Sequence, residues 1–159
     1  MNLYLSNEPA LVCGGSQGLG LATAKELALL GATVIIASRT QNKLEEALQQ
    51  LDSSAGQQHH FLVADLAVPE KAKAIVEEWV QQYGTIHILI NNAGGPPAGP
   101  MIDTGAADLE KAFLAHVVRS HLSAQLLVPG MQQAGYGRII NIVSPSVKQP
   151  INGLGIPNS

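Results

Sequence analysis

The sequence predicts an α/β protein: a three-layer, doubly wound parallel sheet with helices on both faces and strand order 3-2-1-4-5. Three observations carry this. Short β-branched apolar runs alternate with helical patterns along nearly the whole chain. One of them, residues 32–37 (Ala-Thr-Val-Ile-Ile-Ala), is almost continuously apolar, as a strand buried on both faces of a parallel sheet must be. Finally, a glycine-rich turn, Arg39, Asp65 and Asn91-Asn92-Ala93-Gly94 each close such a run at its carboxyl end. Right-handed crossovers then gather all four turns on one edge of one sheet, where open α/β sheets bind ligands.

The first strand is expected over 10–13, entering the turn Gly14-Gly15-Ser16-Gln17-Gly18-Leu19-Gly20. Glycine permits positive φ and lets a ligand approach the backbone. A helix leaves the turn at once, running from near Gly18 to Leu30 with Gly31 as its stop. Its free N–H groups and dipole suit a pyrophosphate. The spacing Gly14-x-x-x-Gly18-x-Gly20 differs from the commonest dinucleotide fingerprint, and a glycine-rich turn can also serve packing alone.

The second strand (32–37) leads through Ser38-Arg39-Thr40 to a helix marked by Leu44, Ala47, Leu48 and Leu51. A polar loop precedes a third strand over 59–64, which ends in Asp65-Leu66. Pro69 suits the first turn of the next helix, whose apolar face reads Ala72, Ile75, Val76, Trp79, Val80 and Tyr83 before Gly84. A fourth strand is expected over 86–90 and a Pro/Gly loop over 95–100. A long helix then covers 106 to about 131, disturbed at Pro129, which removes an internal hydrogen bond. Gly135 and Gly137 turn the chain into a fifth strand, 138–143, followed by coil.

Composition narrows the function. The 159 residues hold room for one domain, residues 1–159, with 46% apolar and 13% charged residues. A net charge of −3 supplies no basic footprint for nucleic acid or an anionic membrane. No apolar run approaches the ~20 residues of a membrane span. The single cysteine, Cys13, sits in an apolar run and reads as a buried thiol. With no basic segment or long apolar core at the N-terminus, a cytoplasmic setting is expected. The five histidines show no metal-site spacing.

The turns carry the chemistry. After a second strand of this kind an acidic residue would accept from an adenosine ribose 2′-OH, whereas an arginine favours a 2′-phosphate. Here the residue is Arg39, beside Ser38, with no carboxylate before Glu45. A guanidinium matches phosphate bidentately, although a solvated arginine after a strand would look the same. Asp65 suits either an adenine amino group or a helix cap. Asn92 suits a backbone bond across strands that holds the cofactor side of the site together, which is equally a structural role.

Taken together, Gly14-x-x-x-Gly18-x-Gly20, Ser38-Arg39, Asp65-Leu66, Asn91-Asn92-Ala93-Gly94 and the run Gly137 to Ser144 (Gly-Arg-Ile-Ile-Asn-Ile-Val-Ser) resemble the short-chain dehydrogenase/reductases. The likeness covers residues 10–144 and is similar in kind to the 3-oxoacyl-carrier-protein reductases. It implies a Rossmann-type fold that binds NADP, or less readily NAD. The implied reaction moves a hydride between nicotinamide and a carbonyl or secondary alcohol. It implies that Gly14, Ser16, Gln17, Gly18, Leu19 and Gly20 wrap the pyrophosphate and that Ser38 and Arg39 take the 2′-phosphate. Asp65 and Leu66 would then meet the adenine, and Asn92, Ala93 and Gly94 the ribose region. A homo-oligomer is implied as well, with the long helix, through Phe113, Val117, Leu122, Leu126 and Leu127, at its interface.

The family's catalytic set is an Asn, a Ser and a Tyr-x-x-x-Lys pair. Ser144 matches the serine. The asparagine lies thirteen residues before the helix proline, and that position here is His116. The tyrosine belongs about thirteen residues after the serine, where this chain reads Gly155-Ile156-Pro157-Asn158-Ser159. The resemblance therefore reads as truncated before the Tyr-x-x-x-Lys region, with the C-terminal strands missing. Two readings stand: an NADP-dependent oxidoreductase, and a dinucleotide-binding protein or fragment without turnover.

Overall fold

The computed structural model describes residues 4–6, 8–65, 68–95, 98–152 and 154–156. Five strands, β1 (Ala10–Cys13), β2 (Val34–Ser38), β3 (His60–Val63), β4 (Ile88–Asn91) and β5 (Arg138–Asn141), form one sheet. Its order is β3-β2-β1-β4-β5 and every pairing is parallel, as the alternation demanded. Around it lie α1 (Gly18–Leu29), α2 (Gln41–Leu48), α3 (Pro69–Tyr83), α4 (Ala106–Phe113) and α5 (Arg119–Ala134).

The period-two geometry of the strands sorts the core into two layers. Leu11, Cys13, Ile35, Ala37 and Leu89 point to the face covered by Val76 and Trp79 of α3 and by Leu127 and Met131 of α5. Ala10, Val12, Val34, Ile36, Ile88 and Ile90 point the other way, onto Ala24 and Ala28 of α1 and Leu44 and Ala47 of α2. Both layers are buried, which is why these strands carry no polar alternation. Each large side chain so buried contributes about 1.5–3 kcal/mol.

Several expected boundaries move, each for a local reason. Residue 32 belongs to the helix exit, its N–H bonded to the Leu27 carbonyl, so β2 starts at Val34. The His59 ring takes the place of a ladder bond by accepting from the Val34 N–H at 3.1 Å, and β3 begins one residue later. Both His87 and Ile88 N–H groups go to the Pro9 carbonyl, which delays β4 until Ile88.

The long helix is the larger correction. Its disturbance is not at Pro129, which sits inside α5 without ending it; the helix runs on to Ala134 and stops at Gly135, φ +68°. The irregularity is a π-helical turn over Leu114–Val118, between α4 and α5. Of the helix residues expected at an interface, Leu127 is buried and Leu126 packs against the sheet core. Phe113 and Val117 are exposed.

β5 spans Arg138–Asn141 rather than 138–143, and all four residues are exposed. Among the described residues it pairs with β4 alone. The stretch after it is not plain coil. Residues Pro145–Val147 form a 3-10 turn, and the Gly155 N–H bonds the Gly99 carbonyl at 2.8 Å, beside a Gly99–Leu154 bridge. The coil expected at 157–159 lies outside the described residues.

Candidate active site

The glycine turn is built by steric necessity. Gly14 and Gly18 have φ of +62° and +57°, a region that penalises any side chain. A Cβ on Gly20 would stand 2.2 Å from the Gly14 carbonyl oxygen, and one on Gly14 2.8 Å from Asn92 Nδ2. These glycines thus let the turn fold against α1 and against the β4 exit. Gln17 caps α1 with its backbone only, and no acidic residue lies in the first turn. The opening N–H groups therefore have no side-chain cap, an arrangement that fits a pyrophosphate.

The wall next to it comes from the β2 exit. Ser16 Oγ donates to Ser38 Oγ at 3.1 Å, joining the glycine turn to the second strand, and the Thr40 N–H donates to Ser38 Oγ at 3.4 Å. Arg39 is exposed. Lys43, in the first turn of α2, reaches back to donate from Nζ to Gln17 Oε1 at 3.1 Å. Asp65 is exposed at the β3 exit. It is not the cap residue of α3, a place taken by Val68. Leu66, expected beside the adenine, lies outside the described residues.

The floor is the Asn-Asn-Ala-Gly turn after β4. Asn92 Nδ2 donates to the Cys13 carbonyl at 3.3 Å, so Asn92 bonds the backbone across strands β4 and β1 at the cofactor side of the sheet. Asn91, 5% exposed, donates to Asn141 Oδ1 at 2.9 Å and ties β4 to β5. Arg119 donates from Nη2 to the Asn92 carbonyl at 3.1 Å.

His116 sits in the π-helical turn and hydrogen-bonds the Gly94 carbonyl. Burial, reinforced by the nearby Arg119 charge, holds its pKa below the usual imidazole value, while the Gly94 bond pulls weakly the other way. Neutral imidazole presents one donor and one acceptor, as a carboxamide does. His116 can therefore occupy the family's asparagine position without adding charge.

Ser144 lies three residues past β5 on the same edge. Its Oγ accepts from the Ser146 N–H at 3.2 Å and shares a 2.7 Å hydrogen bond with the Ser146 hydroxyl. It caps the 3-10 turn, the structural role the sequence left open beside the catalytic one. Cys13 is 1% exposed, and burial pushes its thiol up to about 11 against the opposing pull of Arg119 and the Asn92 backbone. No cluster of three metal-ligating side chains exists among the described residues, and no helix there is long and apolar enough to cross a membrane.

Lys43, Arg119 and Asn91 are site residues that the sequence did not single out. Lys43 and Arg119 find their partners, Gln17 and Asn92, 26 and 27 positions away, so no local spacing pointed to them.

A parallel 3-2-1-4-5 sheet with a glycine turn, an uncapped helix start and four polar turns on one edge defines a dinucleotide-binding architecture. The short chain dehydrogenase family model matches residues 8–156, and the chain belongs to that family. An oxidoreductase of Mycobacterium tuberculosis is 37% identical over 141 residues, covering 88% of this chain and 53% of that protein. The ketoacyl reductase HetN of Nostoc sp. is 31% identical over 147 residues, 92% of this chain and 51% of its own. The L-sorbose reductase of Gluconobacter frateurii, solved with NADPH and L-sorbose, superposes with TM-score 0.91 at 31% identity, over 99% of this chain and 60% of that one. An NAD+-bound xylitol dehydrogenase follows at TM-score 0.87 and 25% identity, over 96% and 59%. The chain thus spans little more than half the length of the relatives it matches. Of these solved structures, the sorbose reductase holds NADPH and the xylitol dehydrogenase NAD+.

Proposed function

We propose that this chain is the cofactor-binding domain of an NADP-dependent reductase that moves a hydride between nicotinamide and a carbonyl or secondary alcohol. Ketoacyl compounds are the substrate class its relatives suggest. One observation carries the cofactor choice: Arg39 stands exposed at the β2 exit, with the Ser16–Ser38 hydroxyl pair beside it and no acid to accept from a ribose hydroxyl. NADPH in the sorbose reductase supports this, and NAD+ in the xylitol dehydrogenase is the competing case.

In this reading Gly14 to Gly20 hold the pyrophosphate, Ser38 and Arg39 the 2′-phosphate, Asp65 the adenine side, and Asn92, Ala93 and Gly94 the ribose side. The dinucleotide, when bound, supplies or accepts the hydride. His116 donates to Gly94 and keeps its other ring nitrogen for the substrate side. Ser144 meets the substrate oxygen once its hydroxyl turns from Ser146. The proposed setting is cytoplasmic, and the proposed assembly a homo-oligomer through the long helix, where Phe113 and Val117 are exposed.

A non-catalytic dinucleotide binder is the second reading. It is favoured by the engagement of Ser144 with Ser146 and by the lack of a tyrosine in residues 155–159, the region where the family's belongs. Calorimetric titration with NADPH and NADH tests the cofactor. NADPH should bind at least about tenfold more tightly, the worth of one charge-assisted bond. Equal affinities, or an Arg39→Asp variant that keeps its NADPH affinity, would overturn the reading.

A further inference from the structure

His59, at the edge of the sheet away from the site, spends both ring nitrogens on backbone groups. The Val34 N–H, which can only donate, meets Nδ1 at 3.1 Å. The Asp52 carbonyl, which can only accept, meets Nε2 at 2.8 Å. These partners admit one protonation state, neutral imidazole with its hydrogen on Nε2. Because Ile35 pairs with His60, Val34 stands opposite His59 one step back along the register. The ring thus fills a ladder position that the β3 backbone leaves open, and it ties the 52–59 loop to the start of β2.

A second proton has only Nδ1 to go to. It would point at the Val34 N–H, setting two donors face to face, so the bond must break and the ring must leave. Val34 is fully buried, and its N–H would lose an acceptor that water cannot replace. β3 is four residues long and pairs with β2 alone among the described residues, so its start leans on this contact more than a central strand would. The titratable groups beside the ring are Asp52 and His60. The Asp52 carboxylate, held by the Ser54 hydroxyl and N–H, attracts a charge on His59, whereas His60 repels one. His60 packs on Trp79 and Tyr83, with ring centroids 6.2 and 4.7 Å away. Both groups change how readily the ring charges; neither changes where the proton must go.

We propose that His59 is an acid-sensitive latch, whose protonation releases the 52–59 loop and the start of β3 from β2 while the rest of the sheet stays paired. The proposal goes beyond the cofactor reading and does not depend on it. The latched strand is the one that runs on to Asp65 at the site edge, so acid loosens it from the opposite end.

The test is deuterium exchange of the full chain, read by mass spectrometry at low micromolar concentration between about pH 8 and about pH 5, across the ordinary imidazole range. Exchange at the His59 ring C–H reports its charge, and exchange of the peptide holding Val34 reports the latch. As the ring charges, protection at Val34, corrected for the intrinsic pH dependence of exchange, should fall about tenfold, the worth of one hydrogen bond. The β1 peptide should keep its protection throughout. His59→Asn sets a carboxamide oxygen in the place of Nδ1 and takes up no proton, so Val34 should stay protected at the acid end. His60→Phe keeps the stacked ring, and the fall should persist in it. Unchanged protection while the His59 ring is charged would overturn the latch, as would a ring that stays neutral to pH 5. A fall that survives His59→Asn and vanishes in His60→Phe would assign the switch to His60 and overturn it too. If His59→Asn does not fold by circular dichroism, ring charge against Val34 protection in the wild type decides alone.

Discussion

Arg119 Nη2 donates to the backbone carbonyl of Asn92 at 3.1 Å, so a helix cation fastens the turn that forms the floor of the site. The same charge lowers the pKa of His116 and that of Cys13. Replacing it with leucine removes a charge-assisted bond at a partly buried carbonyl, at a cost of about 1–3 kcal/mol by urea denaturation. The His116 imidazole should then titrate higher, which an NMR titration reads directly. An unchanged His116 titration in Arg119→Leu would show that the two groups are not coupled.

The glycines separate steric from conformational demand. Gly20→Ala drives a methyl into the Gly14 carbonyl, a backbone atom that cannot move without opening the turn. It should cost about 3 kcal/mol or more and abolish dinucleotide binding. Gly18→Ala meets open space and pays only for its φ of +57°, about 1–2 kcal/mol. Parallel melting curves of the two variants test the ranking.

Cys13 should behave as an inert thiol. Its pKa near 11 leaves almost no thiolate at neutral pH, and its side chain is shielded by the sheet. Ellman's reagent should label the folded protein very slowly and the urea-unfolded protein at the ordinary rate. Rapid labelling of the native form would contradict the burial.

How much of this was legible follows from which forces are local. The strands were readable because a sheet covered on both faces demands unbroken apolarity, and β1 and β2 show it. Their limits were not, because His59 and Pro9 replace ladder partners through contacts made only in the fold. Proline has a known local cost, so Pro129 drew the expected irregularity. The π-helical turn at Leu114–Val118 adds one residue to the helical period and leaves no residue type as a marker. The glycine turn and the Asn-Asn-Ala-Gly turn were visible as motifs. Lys43 and Arg119 were not, since their partners lie 26 and 27 positions away.

Two histidines set the acid response. Burial and the neighbouring His59 lower the pKa of His60; burial and Arg119 lower that of His116. Each imidazole binds its proton less readily folded than unfolded, so the unfolded state carries more protons between the two pKa values. Stability from this source is complete above the ordinary value of 6.5 and is lost as pH falls through the lower, folded values. Asp52, lowered chiefly by its bond from the Ser54 hydroxyl, acts with the same sign at more acidic pH. Urea midpoints between about pH 8 and about pH 5 should decline on acidification, and His116→Asn should flatten the curve. A rise in stability toward pH 5 would refute the assignment.

β5 governs how the 159-residue polypeptide behaves by itself. Ile139 and Ile140, in register with Leu89 and Ile90 of β4, are 39% and 51% exposed. Among the described residues nothing pairs the outer edge of that strand. Beside it a cavity of about 480 Å³ opens between α5 and β5, lined by Val128, Met131 and Tyr136 among others. An apolar, β-branched edge without proline is a template for pairing with other chains. The isolated polypeptide should therefore self-associate at tens of micromolar by light scattering. Ile140→Lys should reduce that association, since a charge on an edge strand opposes stacking. Turnover should fail for a separate reason. Residues 155–159, the region where the family's proton-donating tyrosine belongs, hold no tyrosine, and general acid catalysis supplies about 10²–10⁴-fold in rate. NADPH oxidation over a panel of carbonyl compounds should fall short of the family by at least that factor, in Ile140→Lys as in wild type. Full activity in the soluble variant would instead place proton donation on His116 or Ser144, and their alanine variants would then identify which.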